Sequence, residues 1–144
     1  MAHLDYVDPE SASGAAQSLL EADGETDGRP SLFALIMAHH PGLFEARQRY
    51  TEAVVEQGGL DPTLIELVTV AISATNDCAY CVASHVEHLI EHLGVDEARA
   101  RAVARGDYGA LDSRERAVVE LAEQIARDPA LVGPDGIDRL RTVG

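Results

Sequence analysis

Lysine and tryptophan are both absent from this chain of 144 residues, and aromatic residues make up only 4% of it. All 11 positive side chains are arginines, set against 25 Asp and Glu, for a formal charge of −14. That balance excludes a basic footprint for nucleic acid, because a phosphate backbone meets repulsion rather than counterions. Anionic membrane surfaces are excluded on the same ground. No stretch approaches the run of about 18 apolar residues that a membrane-spanning helix needs. Met1-Ala2-His3-Leu4-Asp5 lacks the basic, apolar pattern of a signal peptide, so the expected compartment is the cytoplasm. Strand signals are missing too, with no alternating run and no hairpin turn between β-branched stretches. What is present is 46% hydrophobic residues, enough for the core of one ordinary domain. With so few aromatics, that core must be built from Ala, Val, Leu and Ile. A GC-rich genome accounts for arginine in place of lysine. The excess of acid fits a salt-rich cytoplasm better, where surface carboxylates keep a protein hydrated.

Helical punctuation organises the chain. Residues 1–30 are polar and rich in small residues and read as an irregular arm with one short helix near Ala15–Ala22. Residues 31–144 read as a single helical domain. Ser31 to His40 is a short apolar run, which Pro41 stops or follows as the first residue of a new helix. That next segment ends at Gly58-Gly59, a C-capping pair. Asp61-Pro62 then opens a helix with an N-cap and a first-turn proline. Leu64, Ile65, Leu67, Val68, Val70, Ala71 and Ile72 make it apolar almost all round, so it is expected to be central and buried. Thr75-Asn76-Asp77 breaks it. Further helices are expected from about Cys78 to Leu93, from Val95 to Arg105, from Asp112 or Ser113 to Arg127, and from Ile137 onward. The expectation is an all-α fold made by helix packing. Its apolar helices, around Leu64–Ile72 and Ser31–Met37, exceed what one small domain needs to bury, which favours self-association.

Only two cysteines occur, Cys78 and Cys81, and they are spaced C-x-x-C. They could be two small buried hydrophobes. A zinc site would need two more ligands; His85, His88 and His92 all lie on the helix that carries the cysteines, and one rigid helix closes a tetrahedron poorly. A structural disulfide does not suit a reducing cytoplasm. A redox-active dithiol fits best. Thr75-Asn76-Asp77 also supplies capping residues for the next helix, so Cys78 is expected in its first turn, where free N–H groups and the helix dipole favour a thiolate. Cys81 follows one turn later. His85, four residues beyond Cys81, lies above it on the same face and can take and return a thiol proton. Glu66 is the only acid between Asp61 and Asp77. In so apolar a helix it faces a solvent edge, or it is buried and must be paired or protonated. Thr69 and Ser73, further along that helix, could add hydrogen bonds. His88-Leu89-Ile90-Glu91-His92 matches the H-x-x-E-H pattern of a class of zinc proteases but lacks an evident third ligand, so exposed surface histidines are the expectation. His39 and His40 read as a helix end or as part of a pocket or subunit interface.

Read together, Glu66, Cys78, Cys81 and His85 form E-x11-C-x-x-C-x3-H. This resembles the alkylhydroperoxidase D-like branch of the carboxymuconolactone decarboxylase family, most strongly over Leu60 to Leu93. The resemblance implies an all-helical, oligomeric protein (dimer, trimer or hexamer) that reduces hydrogen peroxide or organic hydroperoxides, with no cofactor and no metal. It implies that Cys81 attacks the peroxide and becomes a sulfenic acid, that Cys78 resolves it as a disulfide, and that His85 and Glu66 relay protons. An external thiol or dithiol then closes the cycle. The helix-start argument points instead to Cys78 as the more reactive thiol. Tyr80 stands where the best-studied members carry a histidine, and Tyr80 and Ser73 are the expected supporting residues. Family members commonly continue for at least one more helix past the point matching Gly144, so a domain without its C-terminal helices is also expected. The competing functions are a lactone decarboxylase, which has no need of the cysteine pair, and a non-catalytic redox-sensing or metal-binding helical module. Finally, a thiolate in so negative a chain is disfavoured by the overall field. Salt that screens the field is expected to make the dithiol more reactive.

Overall fold

The computed structural model describes residues 3–24 and 28–144. Parts of the expected arm, and Met1-Ala2 of the signal-sequence reading, lie outside the described residues. All regular structure among the described residues is helical. The helices are α1 (Ala15–Gly24), α2 (Leu32–Met37), α3 (Pro41–Gly58), α4 (Pro62–Thr75), α5 (Ala79–Glu91), α6 (Glu97–Ala104), α7 (Ser113–Arg127) and α8 (Pro134–Val143), with a 3-10 turn at Pro129–Leu131. The chain divides into two units, Met1–Gly59 and Leu60–Gly144.

In the first unit the Ser31 hydroxyl accepts from Ala34 N at 3.1 Å and starts α2, as an N-cap should. Pro41 begins α3, which ends on Gly59 in the left-handed conformation at φ 62°. Leu20, Ala34, Ala38 and Phe44 form the buried cluster of this unit. The Phe33 and Phe44 rings lie 5.9 Å apart, and the Arg47 guanidinium lies 4.9 Å from the Phe33 ring centre.

The second unit is built around α4, which packs on α5, α6 and α7. Asp61 starts it, accepting from Thr63 N at 2.8 Å and Leu64 N at 3.3 Å. From Thr63 to Thr75 no residue of α4 is exposed, as the all-round apolar sequence requires. Leu67 and Val70 sit in a core with Leu89, Val103 and Val119. Each such side chain contributes about 1.5–3 kcal/mol of burial. Asp96 caps α6, and Asp112 with Glu115 makes a reciprocal capping box on α7. Two boundaries differ from the sequence reading. The last helix starts at Pro134 rather than Ile137, because a proline at the first helical position gives up an N–H that has no partner there anyway. The helix expected from Cys78 starts one residue later, at Ala79.

Candidate active site

The turn between α4 and α5 places the cysteines. Asp77 adopts a left-handed conformation, φ 53°. Its N–H donates to Ala74 O at 3.1 Å and the Cys78 N–H donates to Ser73 O at 3.0 Å, the paired bonds of a Schellman cap. Thr75-Asn76-Asp77 therefore closes α4 and does not cap α5, which corrects the sequence reading. The residue that caps α5 is Cys78 itself: its Sγ accepts from Cys81 N at 3.3 Å. One residue thus ends one helix and begins the next. Asp77 is the piece the sequence reading missed. Asp is among the few non-glycine residues that tolerate this backbone region, which is the signal that could have found it.

Cys78 and Cys81 are joined by a disulfide with their Cα atoms 5.3 Å apart, inside the usual span of about 4.4–6.8 Å. One turn beyond Cys81, His85 Nδ1 lies 2.7 Å from Glu66 Oε2. Both side chains are partly covered, with 35% of His85 and 18% of Glu66 exposed. An ionised carboxylate can only accept, so Nδ1 carries the hydrogen and Nε2 is left free for proton transfer. Of the two sequence alternatives for Glu66, the paired one is found. The structure therefore brings Glu66 to His85, and Cys78 to Cys81, on two helices joined by a short turn.

The other expected residues are placed more plainly. Ser73 is buried, 7% exposed, and its carbonyl holds the Cys78 N–H. Tyr80 is exposed. The Thr69 hydroxyl bonds Ile65 O at 2.9 Å within its own helix and is not drawn to the site. His88 and His92 are exposed and their rings lie 4.8 Å apart. His39 Nε2 meets Asp5 O at 2.8 Å.

A groove of about 830 Å³ opens between α5 and α6. Cys78, Ala83, Val82, Val86, Ile90 and Ala104 line it, whereas Cys81, His85 and Glu66 do not. Behind the turn, the Thr75 hydroxyl lies 3.5 Å from Glu123 Oε1 on α7. Burial and the neighbouring Glu123 carboxylate push the Tyr108 phenol up to about 12. The end of α4, three residues before Cys78, is thereby tied to α7.

The model of the carboxymuconolactone decarboxylase family matches residues 41–124, more than half of the chain. The chain belongs to that family. The matched stretch contains Glu66, Cys78, Cys81 and His85, so the alkylhydroperoxidase D-like resemblance rests on the same helices as the site. The fold is shared with the crystal structure of an alkylhydroperoxidase AhpD core, an uncharacterized peroxidase-related protein from Ralstonia eutropha JMP134. The TM-score is 0.83 at 26% identity, over 98% of this chain and 75% of that one. No curated protein matches the chain. Among the described residues no helix is long and apolar enough to cross a membrane.

Proposed function

We propose that the chain is a thiol-dependent peroxidase acting on hydrogen peroxide or organic hydroperoxides in the cytoplasm. The carrying observation is a closed Cys78–Cys81 pair one helical turn from an imidazole whose Nδ1 is held by Glu66. The peroxidase-related description of the Ralstonia protein points the same way. In the reduced state His85 Nε2 takes the Cys81 thiol proton. The Cys81 thiolate attacks the terminal peroxide oxygen, the O–O bond breaks, and the alkoxide leaves with that proton as an alcohol. Cys81 is now a sulfenic acid. The Cys78 thiol attacks its sulfur, its proton passes by way of His85 to the departing hydroxyl, and water leaves, which forms the disulfide. Two equivalents of an external thiol, or one dithiol, reopen it. The dithiol itself carries the two electrons, so this cycle uses no cofactor and no metal. Tyr80 and Ser73 are supporting residues, Ser73 through the backbone bond that fixes Cys78.

We further propose a homo-oligomer. Leu43, Tyr50 and Val54 are exposed and lie seven and four residues apart along α3, on one helical face, which is the apolar stripe self-association would cover.

The test is hydroperoxide consumption with dithiothreitol as reductant. Wild type turns over, and Cys81→Ser and Cys78→Ser each fall by about 10²-fold or more. Unchanged consumption in both variants removes the peroxidase reading. Carbon dioxide release from a lactone acid, indifferent to both substitutions, replaces it with a decarboxylase.

A further inference from the structure

The two cysteines of the disulfide do not share their surroundings. Cys78 lines the α5–α6 groove, and Cys81 does not. His85 lies four residues after Cys81, on the side from which Glu66 is reached. Thiol–disulfide exchange is an in-line displacement, so the attacked sulfur is the one that can be approached from behind its bond partner. We infer that a small aliphatic thiol reductant enters along the α5–α6 groove and attacks Cys78, and that the groove disfavours anionic thiols.

The size fits a small molecule, since ligand clefts run at about 300–1,000 Å³. The walls Val82, Val86 and Ile90 are apolar and suit an aliphatic stem. Around them stand Asp77, Glu87, Glu91 and Glu97 against Arg101 and Arg105. Arg101 is already held by Glu97 at 2.7 Å, so the rim is acidic on balance and repels a carboxylate-bearing thiol.

The chemistry then runs in two displacements. The entering thiol loses its proton to solvent and bonds through sulfur to Cys78 Sγ, the Cys78–Cys81 bond breaks, and the electron pair leaves on Cys81 Sγ, which takes up a proton from solvent by way of His85 Nε2. A second thiolate attacks the reductant's sulfur in the mixed disulfide. It releases Cys78 as thiolate and carries away the oxidised reductant as its symmetrical disulfide. The N–H of Cys81 at Cys78 Sγ is placed to hold that thiolate.

The inference rests on the peroxidase reading for its biological use, but the reductive half can be followed without peroxide, so the two fail separately. Oxidised wild-type protein is mixed with 2-mercaptoethanol, quenched after milliseconds with acid and alkylated, and the adduct is mapped by mass spectrometry. The expected product carries mercaptoethanol on Cys78 and the alkyl group on Cys81; the reverse assignment overturns the inference. Rates per thiolate are then compared at low salt for cysteamine, mercaptoethanol and 3-mercaptopropionate. Cysteamine is expected to exceed mercaptopropionate by about tenfold, and equal rates remove the selectivity claim. Ala83 is exposed on the groove wall. Ala83→Trp should slow reduction by about tenfold by filling the groove, whereas Ala83→Ser should not. If Ala83→Trp reduces as fast as wild type and only the oligomeric mass changes, a second copy covers this face and the inference is wrong.

Discussion

Glu66 Oε2 accepts a hydrogen bond from His85 Nδ1 at 2.7 Å across 19 positions of sequence, joining the second turn of α4 to the middle of α5. Under the peroxidase reading this bond fixes which imidazole nitrogen faces the thiol. His85→Gln should lower hydroperoxide turnover by about 10²-fold, the usual worth of a general acid–base group. Glu66→Gln should cost less. The double variant should be no worse than His85→Gln, because Glu66 acts only through the histidine. Steady-state kinetics with a saturating reductant measures this, and multiplying losses would show that Glu66 has a task of its own.

Asp77 ends α4 with φ 53°, a conformation that costs most side chains about 1–2 kcal/mol. Asp77→Val should therefore lose about 1–2 kcal/mol in denaturant unfolding. Asp77→Gly should be close to neutral, because relief of the backbone is offset by the greater freedom of glycine in the unfolded chain. Equal losses in the two variants would mean that the aspartate side chain, rather than the backbone angle, matters at this turn.

Tyr108 holds its proton more tightly in the folded protein, up to about 12 against an ordinary 10, because of burial and the neighbouring Glu123 carboxylate. A raised pKa contributes stability that is complete below pH 10, where both states are protonated. Between pH 10 and 12 the unfolded chain releases the proton first, so that contribution declines. Urea unfolding of wild type across this window should lose stability with a steeper slope than Tyr108→Phe. Parallel slopes would place the alkaline sensitivity elsewhere.

Screening should help the thiols. With a formal charge of −14, each thiolate forms in a negative field whose reach shrinks from about 30 Å at 0.01 M salt to about 3 Å at 1 M. Alkylation of the reduced protein by neutral iodoacetamide should therefore speed up as sodium chloride is raised. A flat or falling rate would show that the helix start and His85 already set the reactivity.

The sequence revealed those parts of the molecule whose causes are local. Asp61-Pro62 announced α4 because an N-cap and a first-turn proline act within one turn. The stretch from Leu64 to Ile72, apolar but for Glu66 and Thr69, announced burial on nearly every side. Cys81 and His85 were legible as neighbours because i and i+4 share a helix face. The pairing of Glu66 with His85 was open, since nothing in α4 alone says which helix it meets. The turn at Asp77 was misassigned because Asn and Asp serve both as N-caps and as left-handed C-caps. The groove walls Ala104, Arg101 and Arg105 carried no signal at all, because α6 comes to face α5 only through tertiary packing.

Cys78 is fastened by its N–H to Ser73 at the end of α4 and by its sulfur to the start of α5. Under the peroxidase reading, its main chain is then a fixed anchor in the redox cycle. Opening and closing the bond to Cys81 would call for torsion of two side chains about that anchor. The reorganisation that accompanies electron transfer would be confined to a few atoms, and the site would cycle without loosening the core beneath it.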